Sequence, residues 1–132
     1  MKSLLLALAL LPCVVFAEAD SIADFQALVA KFPKTAPPLS PGQTVTVTVT
    51  SSDVRKTDSL ITPILGTIDY KMTISSTVSI EMLVRAELVW KNNAWKLYRI
   101  LRTDKDPAVD VTKEAQGGVQ LDLLKEFYAP LQ

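Results

Sequence analysis

Asp53, Arg55, Lys56 and Asp58 place two carboxylates and two cations within six positions, and Thr57 and Ser59 add hydroxyls among them. At one end of a sheet such a loop could meet a ligand or a partner. Equally, it could be a solvated connection, with Asp and Ser side chains holding its turns and Arg55 pairing locally. It is not a phosphate loop, because it contains no glycine to bring backbone N–H groups onto an anion. Further on, Asp104, Asp106, Asp110 and Glu114 invite a calcium reading. An EF-hand loop needs oxygen ligands at alternate positions and glycine at the sixth. Here the fifth and sixth positions are Ala108 and Val109, and the motif fails.

The remaining chemistry is bounded by what the chain lacks. It has no histidine, and its one cysteine, Cys13, lies in an apolar N-terminal stretch. An imidazole base, a zinc site of His and Cys, and an internal disulfide are therefore excluded. The available acids and bases are Asp, Glu, Lys and Tyr. Asp69 and Glu87 could form a carboxylate pair, but on the polar face of a sheet they have no water-excluding cleft. No nucleophile has a base beside it, so the expectation is a protein that is not an enzyme and takes no metal or cofactor. With 14 Lys+Arg against 14 Asp+Glu, the charge balance argues against a nucleic-acid partner.

Residues 1–17, MKSLLLALALLPCVVFA, have a cationic start, an apolar run over positions 4–16, and small residues at Val15 and Ala17. This is the layout of a secretory signal peptide cleaved after Ala17, and the run is short of the roughly 20 residues of a spanning helix. Pro12 directly before Cys13 departs from the small residue of a lipoprotein signal. The expectation is a secreted or periplasmic chain with no stable membrane anchor after cleavage, its 18–132 region one domain without His or Cys.

Period and punctuation then divide residues 18–132. Ile22, Phe25, Leu28, Val29 and Phe32 make one apolar stripe, predicting a helix over 20–32 capped by Asp20 or Ser21 and stopped by Pro33. Residues 33–43 hold four of the eight prolines and form an extended connector. A sheet follows over 44–103. Thr44–Thr50 alternates valine with threonine, residues 67–74 and 79–90 alternate with period two, and Asn92-Asn93 turns the chain into a last strand over 94–102. Pairing across these hairpins sets Ile74 opposite Ile80, Met72 opposite Met82 and Asp69 opposite Arg85. It also sets Trp90 opposite Trp95 and Leu88 opposite Leu97, with Glu87 beside Tyr98. Carried further, the last register puts Arg99 on the apolar face opposite Ala86. A small residue facing a long cation leaves room for a pocket in which arginine could bind a carboxylate or phosphate. A bulge after Leu97 would instead turn Tyr98 or Ile100 inward. The Trp90–Trp95 pair reads as core, or as a platform for a sugar or apolar ligand. Residues 104–132 form a polar, turn-rich tail ending in a short helical segment over 119–128, with Leu123, Leu124, Phe127 and Tyr128 available for packing.

The sum is an α+β domain: an N-terminal helix packed on a curved, about four-stranded antiparallel sheet, with a short C-terminal helical segment. This arrangement resembles the cystatin fold and the last part of NTF2-like domains. The hairpin Trp90-Lys91-Asn92-Asn93-Ala94-Trp95-Lys96-Leu97 is similar to the final hairpin of the latter. The cystatin Q-x-V-x-G loop is absent, and neither resemblance implies a functional residue. The block Asp53-Val54-Arg55-Lys56-Thr57-Asp58-Ser59-Leu60, followed by Pro63 and Gly66, resembles one in small secreted bacterial proteins of unknown function. That resemblance implies a shared structural type and no activity. The function expected is a non-catalytic binding module for a protein or small ligand, using the sheet, the 53–60 loop with Asp53, Arg55, Lys56 and Asp58, or the edge of Thr44–Thr50. The alternatives are a small NTF2-like ligand carrier or enzyme with a pocket centred on Arg99, and an accessory subunit that folds fully only in an assembly.

Overall fold

A computed structural model describes residues 20–38, 40–112 and 124–132. The expected signal peptide over 1–17 lies outside the described residues, as do Glu114 and residues 119–123 of the expected C-terminal helix. Helix α1 covers 20–30. It is followed by β1 (Thr35–Ala36), β2 (Thr44–Lys56), β3 (Ile64–Ser75), β4 (Ser79–Lys91), β5 (Ala94–Arg102) and β6 (Val109–Asp110). A one-turn helix α2 (Lys125–Tyr128) runs into a 3-10 turn over Ala129–Leu131. Among the described residues, six strands form one antiparallel sheet in chain order, β1-β2-β3-β4-β5-β6. The count of about four strands is thus corrected to six. The four long strands are the ones that alternation reveals, and the two-residue β1 and β6 are too short to show a period.

The long strands form where period two makes one face apolar. Val45 and Val47 of β2, Ile68, Tyr70, Met72 and Ile74 of β3, and Val84, Ala86 and Leu88 of β4 are all buried. They share the inner face, because β2–β3 pairs Val47 with Met72 and β3–β4 pairs Tyr70 with Val84. The β3–β4 register is the expected one throughout, from Leu65 opposite Val89 to Ser75 opposite Ser79. Asn92 and Asn93 both adopt positive φ, 54° and 58°, so asparagine's tolerance of the left-handed region closes the β4–β5 hairpin.

Two bulges shift this lattice. On β2 the register changes between Val49 and Ser51, leaving Thr50 as the extra residue. Past it, Ser52 and Val54 oppose Ile68 and Gly66 on the inner face, while Ser51, Asp53 and Arg55 oppose Asp69, Thr67 and Leu65 on the outer face. On β5 the shift falls between Glu87 and Leu88 of its partner strand. Leu97 still opposes Leu88, but Arg99 opposes Glu87 and Ile100 opposes Ala86. Tyr98 is the extra residue. The expected Ala86–Arg99 and Glu87–Tyr98 pairings are therefore corrected, and it is Ile100 that fills the core opposite Ala86. The extra residue puts Ile100 into the core in place of Arg99, and the cation it brings to the inner side, Arg102 opposite Val84, stands at the strand's end, ion-paired to Asp104.

Helix α1 and the C-terminal segment cover the inner face. Phe25 and Phe32 are buried, Leu28 and Val29 pack against the core from the side, and Ile22, expected in the stripe, is exposed. Burying each phenylalanine contributes about 1.5–3 kcal/mol. Phe25 tilts against Trp95 at 5.1 Å between ring centroids, and Phe32 sits 4.8 Å from Tyr70 and 4.6 Å from Phe127. The helix is pinned at its start by the Trp95 indole N–H, which donates to the Ser21 carbonyl at 2.8 Å. Gly66 makes the close approach possible: a Cβ there would stand 2.5 Å from Phe25 Cε2. At the other cover, Leu124, Tyr128 and Leu131 are buried, and the Tyr128 hydroxyl meets that of Tyr70 at 2.8 Å. Among the described residues, no helix is long and apolar enough to cross a membrane.

Candidate functional site

The polar cluster of the sequence does not form one loop. β2 runs on through Lys56, so Asp53, Arg55 and Lys56 stand on a strand, and only Asp58 belongs to the β2–β3 connection over 57–63. The bulge at Thr50 explains the longer strand. It shifts the alternation by one, and Val54 then continues the inner face that Val45, Val47 and Val49 began. The expected 53–60 loop is corrected accordingly.

The 57–63 connection is braced by its own side chains. The Thr57 hydroxyl donates to the Thr62 carbonyl. The Ser59 N–H donates to Thr57 Oγ1 at 3.2 Å, and the N–H groups of Ile61 and Thr62 donate to Ser59 Oγ at 3.1 and 3.2 Å. The Thr57 N–H closes the loop on the Pro63 carbonyl at 2.9 Å. Thr57 and Ser59 thus act as local backbone partners, the role these side chains take in turns. The loop they hold presents Leu60 at 98% exposure and Ile61 at 76%. Neither was singled out by sequence reasoning. The available signal was an aliphatic pair inside a segment otherwise made of turn and charged residues, where no strand or helix period accounts for it.

The outer face of the sheet carries the other arrangement of charges. Arg85 donates to both Asp69 oxygens, Nε at 2.7 Å and Nη2 at 3.2 Å, as the register predicts. Ser51 Oγ adds a bond to Asp69 Oδ2 at 2.9 Å. The Asp69 hydrogen bond holds the Arg85 pKa above its ordinary value against the opposing effect of burial. One row along, Arg99 Nε donates to Glu87 Oε1, and the Glu87 bond likewise raises the Arg99 pKa. Arg99 also lies over the Tyr98 ring, 5.7 Å from its centroid. The premise of a pocket centred on Arg99 was an inward guanidinium. The structure turns that group to the outer face, half-exposed and ion-paired to Glu87. Both pairs tie neighbouring strands together; the part-exposed Asp69–Arg85 pair contributes up to about 1 kcal/mol, whereas in the second pair the Glu87 carboxylate is nearly buried.

The remaining candidates resolve locally. Trp90 and Trp95 meet edge to face at 5.4 Å, with Trp95 buried beneath α1, which is a packing role. In the acidic tail, Arg102 donates to both oxygens of Asp104 at 2.8 and 2.6 Å and holds its carboxyl below the usual range. Asp110 Oδ1 accepts from the Thr112 N–H at 3.0 Å. A groove of about 560 Å³ lies between the end of α1, the connector and the C-terminal segment, lined by Leu28, Lys31, Pro33, Leu124, Phe127 and Pro130 among others.

These features sort the surface into a braced aliphatic loop at one end of the sheet, a self-neutralised outer face, and an apolar groove toward the other end. A scan against protein-family models and searches of curated proteins and of solved structures find no match for the chain.

Proposed function

We propose that this chain is a non-catalytic, secreted or periplasmic module that binds another protein through the loop over 57–63. One observation carries the reading: Leu60 and Ile61 are held in water by a loop whose hydrogen bonds fix its shape. Exposing two large aliphatic side chains on a rigid support forgoes roughly 1.5–3 kcal/mol of burial for each. A pre-ordered loop also loses little entropy on binding. The flanking charges are of both signs, Asp53 and Asp58 against Arg55 and Lys56, and no aromatic residue lies in the loop. That pattern fits an apolar pocket with a polar rim on a protein better than an anionic lipid surface, which favours a basic flank. The location rests on the signal-like pattern of residues 1–17.

The test is a photo-crosslinking residue introduced at position 60 in the producing cells, with position 78 as control. Val78 is also an exposed aliphatic residue, but it lies in the β3–β4 turn at the opposite end of the sheet. A discrete protein adduct from position 60 that is lost on Ile61→Ser and absent from position 78 is the expected result. No adduct, or adducts to lipid alone, would overturn the reading. The location is read separately, from whether the exported protein begins at Glu18.

A second reading is a carrier of a small apolar ligand. It is favoured by the groove between α1 and the C-terminal segment, whose size suits such a molecule, and it no longer involves Arg99. Displacement of an apolar fluorophore, abolished by Leu28→Trp filling the groove, would support it.

A further inference from the structure

The edge of β2, next to that loop, offers a second site. β1 pairs with β2 only at Val45 and Thr46, and the Val47 N–H reaches the Lys34 carbonyl at 2.8 Å. Past Val47, among the described residues, β2 is paired on its β3 side alone. Ser51, Ser52, Asp53 and Arg55 are exposed there. The bulge at Thr50 interrupts the edge, as bulges on natural edge strands do, but leaves a regular stretch beyond it.

The direction of the backbone groups on this stretch follows from its side chains. Along one strand, residues that share a face send their N–H and C=O groups to the same edge. Val47 faces inward and donates toward β1. Val47 and Met72 are therefore a non-hydrogen-bonded pair, and because β3 runs without a break from Met72 to Gly66, Gly66 and its partner Val54 are one too, so the Val54 N–H and C=O point to the open edge. If the strand met its own copy antiparallel about Val54, the two Val54 residues would exchange both hydrogen bonds. On either side of that centre, Asp53 would face Arg55 of the second copy, and Arg55 would face its Asp53. These would be non-hydrogen-bonded pairs, where side chains come closest, with Cα atoms about 4.5 Å apart. Both residues lie on the outer face. The sequence Asp-Val-Arg is thus charge-complementary to itself about a two-fold axis, and gives two identical ion pairs at the register that uses the open hydrogen bonds.

We infer that the occupant of this edge is a second copy of the chain, paired β2 to β2 about Val54 and locked in register by reciprocal Asp53–Arg55 ion pairs. The interface is isologous, so it closes at a dimer and joins two sheets into one. The paired stretch is short, so the dimer is reversible and concentration-dependent.

Sedimentation velocity on the purified protein, up to about 1 mM, tests this with two charge reversals. Asp53→Arg sets arginine against arginine, and Arg55→Asp sets aspartate against aspartate. Each alone should weaken self-association roughly tenfold. Mixed in equal amounts, the two variants should recover it. The arginine introduced at position 53 of one chain then faces the aspartate introduced at position 55 of the other, and the native Arg55 of the first faces the native Asp53 of the second. Val54→Pro removes the central N–H, which bonds nothing in β3, and should give a monomer with unchanged far-ultraviolet dichroism. A wild-type monomer at every concentration would overturn the proposal. Association indifferent to both reversals, or no recovery in the mixture, would overturn the register. The loop-binding proposal is read separately, from an adduct at position 60 to a protein other than this chain.

Discussion

The hydroxyls of Tyr70 and Tyr128 lie 2.8 Å apart in the core, joining the middle of β3 to the end of helix α2. Both side chains are buried, and burial raises both hydroxyl pKa values above the ordinary tyrosine value. Tyr70→Phe strips the Tyr128 hydroxyl of this partner, which should cost about 1–3 kcal/mol in urea unfolding. Tyr70→Phe with Tyr128→Phe together should cost less than the two single changes summed, because no orphaned hydroxyl remains.

The same pair predicts an alkaline limit. Below about pH 10 a tyrosine is neutral in both folded and unfolded chains and contributes no pH dependence. Above it the unfolded chain loses the proton while the buried hydroxyl keeps its own. The unfolded state then binds fewer protons, and stability falls as pH rises. Each such tyrosine should remove up to about 1.4 kcal/mol per pH unit. Unfolding followed from pH 8 to 11 should show this fall in the wild type and a shallower one in the double phenylalanine variant. Equal slopes would mean that the hydroxyls ionise freely in the folded protein.

Gly66 sits on the inner face of β3, directly beneath Phe25 of α1. A methyl group there must push the ring away, and the Trp95 ring, 3.1 Å from the same point, blocks one escape. Gly66→Ala should therefore destabilise by about 1–3 kcal/mol through overpacking. Phe25→Leu should be less harmful in the Gly66→Ala background than in the wild type, since the smaller side chain makes room for the methyl. Additive losses in a thermal unfolding cycle would contradict a direct Gly66–Phe25 contact.

The Glu87–Arg99 pair shows where sequence reasoning stops. Alternation of apolar and polar residues located the four long strands, the helical stripe located α1, and Asn92-Asn93 fixed the last hairpin, because each pattern is local and distinct. The register of β3–β4, including Asp69 opposite Arg85, followed from the same repetition. The bulge on β2 escaped, and the one after Leu97 stood only as an alternative. One extra residue in a strand leaves no periodic mark until the pattern past it is compared with its partner. The bulge at Tyr98 moved Arg99 from an imagined pocket to the outer face, and the bulge at Thr50 turned half of an expected loop into strand. Loop shape was equally hidden, because the hydrogen bonds from Thr57 and Ser59 that lift Leu60 and Ile61 into water depend on backbone angles that no spacing encodes.

The Glu87 carboxylate is nearly buried while its partner Arg99 is half-exposed, so the two halves of this ion pair should respond unequally. Arg99→Ala leaves a carboxylate in a poorly solvated position and should cost about 1–2 kcal/mol. Adding Glu87→Gln should recover part of that loss, because a neutral amide is less costly there than an unpaired anion. If the pair were merely a surface contact, both variants would fall within about 0.5 kcal/mol of the wild type in urea titration.

The loop makes the sharpest separation between folding and binding. Leu60 and Ile61 contribute no core, so Leu60→Ser with Ile61→Ser should leave the unfolding free energy within about 0.5 kcal/mol of the wild type. Ser59→Ala acts differently. It removes the acceptor for the N–H groups of Ile61 and Thr62 but leaves both aliphatic side chains in place. Those N–H groups can turn to water, so the stability loss should stay small, about 0.5–1.5 kcal/mol. Amide exchange at Ile61 and Thr62 should nevertheless speed up, since the loop has lost the bonds that fix its shape. A loop pre-ordered for binding then predicts that Ser59→Ala weakens partner capture although every apolar contact atom remains. Capture unchanged by Ser59→Ala but lost with Leu60→Ser would show that the side chains matter and the bracing does not.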